Sequence, residues 1–357
     1  MIKLLSRYIA STIFTATGMA ALVIAGIVML LALLGEMKNI GEGEYGLIQA
    51  VIYVFYRLPN EIYQFSPMVI LLGSIMGLSI LSSHKELSVM RASGFSTRQI
   101  ILSVLGSALL LILAISIIGE AIAPNLSYRA ELRKENAQNA GQAVVTASGV
   151  WFHVDNNFIH VEQVIGRQLL QGVTRYQFDN THHLQATYYA KTLSLRDKQW
   201  VMNDVLKTMF FKDRTKSISM LEAPWDLKFN VNLLNLGLYE PREMTLPKLV
   251  KFTKYLEQNG LQAKEYQYQF WQRLLQPLAS LIMIFLAIPF VLGVMSAATM
   301  GWRLVVGILM GFAFFICNAL LGQLCIVYQV PPVMAALIPL VIFAMIGVIL
   351  TNRLIRL

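Results

Sequence analysis

The chain has 357 residues, of which 56% are hydrophobic and only 14% charged, with a mean hydropathy of +0.58 and a formal net charge of +9. Soluble globular chains carry roughly 25% charged residues, so a freely soluble enzyme is excluded and an integral membrane protein indicated. Much of the positive charge lies at the ends of apolar runs, not in a basic stripe interleaved with stacking aromatics, which argues against a nucleic-acid partner.

Lys3 and Arg7 precede a first apolar span near 10–35. It is too long for the apolar core of a signal peptide and lacks a small-x-small cleavage site, so it reads as a retained span. A polar loop is expected next, carrying Glu36, Lys38, Glu42, Glu44, Arg57 and Glu61, with Gly41, Gly43 and Pro59 breaking regular structure. Span 2 covers roughly 62–83, and Gly73 and Gly77, four apart, permit a close helix contact there. Span 3 covers 99–123 and is expected to stop at Pro124.

Between spans 2 and 3 lies the polar, helix-prone island 84–94, His84-Lys85-Glu86-Leu87-Ser88-Val89-Met90-Arg91-Ala92-Ser93-Gly94. Each flanking run is long enough to cross a bilayer, which takes about 20 apolar residues. So short a connection sits at one membrane surface, and its basic content points to the cytosolic one. Leu87 and Met90 share one helical face, with Glu86 and Arg91 beside them, and Gly94 is placed to end the helix. An amphipathic helix presented this way suits docking by a soluble partner. The plainer alternative is an interfacial helix lying on lipid.

Residues 125–272 differ in kind, since every Asp of the chain falls there. Arg129, Glu131, Arg133, Lys134 and Glu135 open the region as a charged helical extension of span 3. Strand patterns follow at 149–154 and 158–164 around Asp155-Asn156-Asn157, a hairpin signature, then near 172–178, 184–195, 199–211 and 217–232. Such a series suggests an antiparallel sandwich or jelly-roll. From Thr245 the period becomes helical through Leu246, Leu249, Val250, Thr253 and Leu256, closing at Asn259-Gly260. Span 4 runs near 274–295 and contains Pro277 and Pro289; spans 5 and 6, near 304–327 and 332–351, are joined through a turn at Pro331-Pro332.

The predicted fold is therefore an α-helical membrane protein of six transmembrane helices with an inserted all-β domain, sandwich or jelly-roll-like. Its divisions are 1–124, 125–272 and 273–357. Placing the termini, 84–98 and 296–303 on one side collects Lys3, Arg7, Lys85, Arg91, Arg98, Arg303, Arg353 and Arg356 against Glu86 alone. The positive-inside rule then puts both termini in the cytosol and the strand-rich region outside.

No phosphate-binding G-x-x-x-x-G-K-[ST] occurs, nor G-x-S-x-G, H-E-x-x-H or Cys-x-x-Cys. Neither catalytic nor metal-binding residues are expected, and no cofactor in this chain. His153 and His160 lie on opposite arms of the first hairpin, where offset pairing points them to opposite faces and away from a zinc site. Cys317 and Cys325, eight residues apart in one apolar run, read as buried free thiols. The charges that need a reason are Lys38 after span 1 and Arg129, Arg133 and Lys134 after span 3. A basic cluster at headgroup height can hold lipid phosphates through charge-assisted hydrogen bonds, or else serve as snorkelling anchors.

The island Lys85-Glu86-Leu87 through Met90-Arg91-Ala92-Ser93-Gly94-Phe95 resembles the E-L-x-x-(L/M)-x-A-(S/A)-G element of the permease subunits of the lipopolysaccharide exporter, the F/G pair of the Lpt system. Arg7-Tyr8-Ile9, the hairpin segments Gly149-Val150-Trp151 and Asn156-Asn157-Phe158-Ile159, Met300-Gly301 with Arg303, and Pro331-Pro332 are similar to the family as well. That hairpin and Gly41-Glu42-Gly43-Glu44-Tyr45 resemble the G-type branch more than the F-type. The resemblance implies a non-catalytic permease of an ABC transporter that takes lipopolysaccharide from the outer leaflet of the inner membrane to a periplasmic bridge. It makes the inserted all-β domain periplasmic. It implies a paralogous six-span permease, two cytosolic ATPase subunits that bind ATP and Mg, and a single-span periplasmic jelly-roll protein as partners. Lys85, Glu86, Leu87, Met90, Arg91 and Gly94 would form the ATPase-coupling helix, with Glu86 touching the ATPase groove. Lipopolysaccharide would enter near spans 1 and 5, its phosphates meeting Lys38, Arg129, Arg133 and Lys134. Some G-type subunits carry a basic residue in the outer turn of span 1, where this chain has Ala32; Arg303 is expected to position its helix, not to touch substrate.

Two other classes compete. A secondary transporter needs ionisable groups within its spans, and the midplane here has essentially none. A membrane-anchored scaffold or receptor would leave six spans unexplained.

Overall fold

The computed structural model describes residues 2–138, 144–154, 156–165, 169–179, 181, 183–196, 199–211, 213–225, 241–258, 261–295 and 298–356. Helices α1 (Ile2–Glu36), α2 (Leu47–Gln64), α3 (Ser66–Ser83), α4 (Glu86–Ala92), α5 (Thr97–Ile117) and α6 (Ala123–Gln138) come first. Strands β1 (Val144–Val154), β2 (Asn157–Ile165), β3 (Leu169–Phe178), β4 (Leu184–Arg196), β5 (Gln199–Phe210) and β6 (Thr215–Pro224) follow. Helices α7 (Leu246–Gln258), α8 (Lys264–Pro289), α9 (Met300–Val327) and α10 (Pro332–Arg356) close the chain. Among the described residues, six helical segments are long and apolar enough to cross a membrane, built on α1, α3, α5 with α6, α8, α9 and α10.

The bundle is organised around α3 and α8, which bury most of their length, whereas α1 and α9 leave most of theirs exposed. Ile70, Ile75 and Leu78 of α3 meet Met283, Ile284 and Leu286 of α8 in one apolar cluster that also takes in Ile9 and Ile13 of α1. In lipid, exposed apolar side chains are solvated as well as buried ones, so close packing decides which helices pair. A Cβ built at Gly73 would collide with the backbone and side chain of Thr17, and one at Gly77 would press on Ile13. The two glycines thus set the approach of α1 to α3, as their spacing suggests. Gly73→Ala should destabilise the bundle by about 1–3 kcal/mol through overpacking. Gly26→Ala, in open space on α1, should leave thermal unfolding in detergent unchanged; equal midpoints for the two variants would refute the contact.

Two expectations for the polar connections are overturned. The supposed loop over 36–61 contains α2, in which the Gly46 N–H donates to Gln49 Oε1 at 3.1 Å. Ala50, Tyr53, Val54, Asn60 and Tyr63 are its buried residues, and Tyr53 and Val54 pack on Ala130 of α6. That three-to-four spacing outweighs Pro59, which the helix absorbs internally. The charged helical extension of span 3 is present as expected, but the span does not stop at Pro124. The helix widens into a π turn at Ile118–Ile122 and runs on as α6 to Gln138.

The strands form one antiparallel sheet in the order β1-β2-β3-β4-β5-β6. Ile159, Val161, Leu170, Val173, Ala190, Leu193, Met202 and Val205 make its apolar core. The first hairpin is as predicted, with Val154 paired to Asn157. The register sets His160 opposite Trp151 and His153 opposite Phe158. Positions 153 and 160 therefore share a face, and the opposite-face expectation was one residue out of register. The described strands follow one another as a meander; residues 226–232 of the last predicted run lie outside the described residues. Predicted helix 245–258 is α7, with Thr245 Oγ1 accepting from the Lys248 N–H at 3.4 Å; its predicted closure at 259–260 lies outside the described residues.

Candidate functional site

The island between α3 and α5 is a single short helix, α4. It starts at Lys85, whose backbone is left-handed (φ 59), and ends at Gly94, also left-handed (φ 90). The Phe95 N–H reaches back to the Met90 carbonyl at 2.9 Å and the Gly94 N–H to that of Arg91 at 3.0 Å. With Met90 and Phe95 both buried, this is a Schellman ending, which needs a residue without Cβ at the left-handed position. Ser96 then caps α5 reciprocally with Gln99: the Gln99 N–H donates to Ser96 Oγ and the Ser96 N–H to Gln99 Oε1.

Leu87 and Met90 do share a face, but that face is turned into the bundle, where both are buried with Ile100 and Val104 of α5. They anchor the helix and are not the docking surface their amphipathic spacing first suggests. Lys85, Ser88, Arg91 and Val89, the last 66% exposed, face outward. Glu86 is held within the chain: Tyr8 Oη donates to its Oε1 at 3.2 Å, and His84 Nδ1 lies 3.6 Å from the same oxygen.

The four predicted phosphate contacts do not converge. Lys38, Arg129 and Arg133 are exposed, with the Arg133 guanidinium over the Tyr56 ring at 5.2 Å. Lys134 turns inward. Its ammonium lies 2.9 Å from Glu36, both side chains being 13% exposed, and 4.6 Å from the Tyr53 ring centroid. Glu36 also accepts from Asn39 Nδ2 at 2.9 Å and Tyr45 Oη at 3.1 Å. Nearby, Arg57 bridges Tyr53 Oη (2.6 Å) and Glu243 (2.6 Å), and Tyr53 Oη donates to Glu131 at 2.9 Å. Burial raises the Tyr45 and Tyr53 hydroxyls above their ordinary pKa, keeping both as neutral donors to these carboxylates. Apart from Tyr45, these groups wall a cavity of about 510 Å³ between α1, α2 and α6, which Ala32 and Lys38 also line. Arg57 and Lys134 are paired there, Lys38 is an exposed cation in the lining, and Arg129 and Arg133 lie outside it.

A second polar cluster escaped the sequence reading. A proline cannot donate to the carbonyl one turn back, and at Pro67, Pro124 and Pro277 the freed carbonyl meets a side chain from another helix. The Tyr63 carbonyl, four before Pro67, accepts from Gln276 Nε2 at 3.0 Å. In the π turn the Ala123 N–H bonds to the Ile118 carbonyl, so the next donor would be Pro124 and its acceptor Gly119; that carbonyl takes a hydrogen bond from Arg273 Nη2. The Arg273 carbonyl, four before Pro277, accepts from Tyr63 Oη at 3.3 Å. Arg273 Nε also pairs with Glu120 Oε2 at 2.8 Å, and Glu120 Oε1 receives the N–H of Leu246, the first residue of α7, at 2.7 Å. Burial pushes the Tyr63 hydroxyl up to about 12. Three prolines in apolar runs, with Glu120, Arg273 and Gln276 nearby in sequence, were the available signal.

Arg303 is buried, and its Nε donates to the Met295 carbonyl at 2.9 Å, a contact that positions the link before α9. Among the described residues no group of three or more His, Cys, Asp or Glu side chains is placed to hold a metal ion. Cys325 is buried and donates to the Val330 carbonyl at 3.2 Å; both cysteines are free thiols.

The model of the family described as "Lipopolysaccharide export system permease LptF/LptG" matches residues 7–353. The chain is 32% identical over 352 residues to the lipopolysaccharide export system permease protein LptG of Escherichia coli (strain K12), covering 98% of each chain. It is 29% identical over 345 residues to the protein of the same name from Haemophilus influenzae, covering 96% of each.

Proposed function

This chain belongs to the lipopolysaccharide export permease family LptF/LptG, and from that premise we propose that it is the G-type permease subunit of an ABC transporter that draws lipopolysaccharide out of the inner membrane's outer leaflet toward a periplasmic bridge. The single observation that carries this reading is a family match spanning nearly the whole chain, 7–353, on a fold of six apolar helices with one inserted sheet. A multi-pass inner-membrane protein follows from the same two facts. The excess of Lys and Arg at the termini, around α4 and in the first turn of α9 supports cytosolic termini and a periplasmic sheet.

The work is supplied elsewhere. Two cytosolic ATPase subunits, holding ATP and Mg, dock on the coupling helices of the permease pair, here on α4 through Lys85, Glu86, Arg91 and the exposed Val89, while Leu87 and Met90 root the helix and Gly94 ends it. A paralogous F-type permease completes the membrane pair, and a single-span protein with its own jelly-roll continues the bridge. At the other end, Lys38, Arg129 and Arg133 meet lipopolysaccharide phosphates, and Lys134 braces Glu36 between α1 and α6. A scaffold or receptor role has no comparable support.

The test is reconstitution with these partners in proteoliposomes containing lipopolysaccharide. ATP-dependent release to a periplasmic acceptor is expected, and its absence in an intact complex would overturn the assignment. Arg133→Glu should reduce lipopolysaccharide loading two- to tenfold, or about 0.5–1.4 kcal/mol, because a charge-assisted bond at an exposed site is discounted by solvent. Undiminished loading would leave Arg133 as a headgroup anchor.

A further inference from the structure

We propose that Tyr8 is a positioning residue that ties α4 to α1, so that displacement of α4 by a docked ATPase carries the outer end of α1 with it. The proposal rests on the function given above and adds a route by which that function is powered. Tyr8 Oη donates to Glu86 Oε1 across 78 residues of sequence. Two residues earlier on α1, Ser6 Oγ accepts from Ser103 Oγ of α5 at 2.9 Å. Ile9 and Ile13 continue α1 into the cluster that holds Leu87 and Met90. The start of α1 is therefore fastened to the α4–α5 unit by two polar bonds and a shared apolar contact.

Beyond that point α1 changes character. On one side Met19, Leu22, Val23, Ile27, Leu30 and Leu31 are exposed. The other side is held to α3 by Thr17 against Gly73 and by Ala20 and Ile24 against Val69 and Leu72, a contact about which the helix can pivot. The helix contains neither proline nor a π turn over its 35 residues, unlike the runs through Pro124 and Pro277. At about 1.5 Å per residue it is a rod of roughly 52 Å, and its far end carries Glu36 with Lys134. A tilt imposed at Tyr8 is passed to Glu36 about that pivot, because the helix between them has neither a proline nor a π turn at which to bend. Glu86 is suited to the handover. One oxygen is committed to Tyr8, while Oε2 is closed to solvent and has no hydrogen-bond partner among the described residues. A shift of α4 that opens this oxygen to a donor from a docking subunit would satisfy it without releasing the first.

The experiment uses the reconstituted complex in proteoliposomes and reads ATP hydrolysis and lipopolysaccharide release separately. Tyr8→Phe keeps the ring and removes only the hydroxyl. Hydrolysis is expected to stay within twofold of the parent, while lipopolysaccharide released per ATP falls three- to tenfold. In a Glu86→Ala background, Tyr8→Phe should lower that ratio no further, since the residue acts through Glu86. An unchanged ratio in Tyr8→Phe, fully additive effects in the double variant, or loss of assembly with both readouts falling in parallel would each overturn the proposal. Failure of the parent complex to release lipopolysaccharide would instead sink the functional assignment.

Discussion

Arg273→Met is expected to destabilise the protein by about 2–4 kcal/mol, below the range of about 3–5 for stripping one partner from a fully buried ion pair, because the Glu120 side chain is 34% exposed and solvent screens it. The Arg273 side chain is 5% exposed, and it serves Glu120 Oε2, the Gly119 carbonyl and the Arg242 carbonyl, while the guanidinium lies 4.9 Å from the Tyr63 ring centroid. Methionine fills similar space but leaves a carboxylate and two carbonyls without their donor. Glu120→Gln should cost far less, because the amide oxygen can still accept from the Leu246 N–H. The double variant should be less destabilised than the sum of the singles, since both remove the same pair. Thermal unfolding in detergent measures all three, and strict additivity would mean that the pair acts independently. Gln276→Leu probes the same knot with a smaller loss, about 1–3 kcal/mol, for the uncovered carbonyls of Tyr63 and Gln64.

Glu86→Ala should reduce lipopolysaccharide release by tenfold or more in the reconstituted complex while the permease still folds. The substitution removes an acceptor that holds Tyr8 and the carboxylate assigned to the ATPase groove. The bond to Tyr8 is solvent-exposed and therefore screened, so most of the expected loss comes from the carboxylate proposed to enter the ATPase groove. The anchors Leu87 and Met90 are untouched, so yield and unfolding midpoint should match the parent. Parent-level release would remove Glu86 from the coupling path.

Much of the architecture was legible because lipid imposes simple demands. A span must be long, apolar and helical, so all six apolar runs and the polar island stood out. Gly94 announced the end of α4, and Gly73 with Gly77 announced a close helix approach. The hairpin at 154–157 followed from turn chemistry. The misses have a common source. Pro59, Pro124 and the glycines near 41 were weighed as local breakers, yet Pro59 sits inside a helix whose buried face packs on α6, and Pro124 is crossed through a π turn. Sequence periodicity identified the apolar face of α4 but not its direction. A two-residue stripe looks the same whether it faces a partner or the bundle.

The sequence alone determined the membrane class, the number of spans, the position of α4 and the existence of an inserted sheet. Those properties depend on residues near one another in the chain and on the surrounding solvent. Only the tertiary structure decided which charges are spent internally. Glu36 with Lys134, Arg57 with Glu243 and Arg273 with Glu120 are separated by 98, 186 and 153 positions. The physical reason is that a proline or a buried charge states only what it lacks, a donor or a counter-charge. Which distant side chain supplies it depends on how the helices pack.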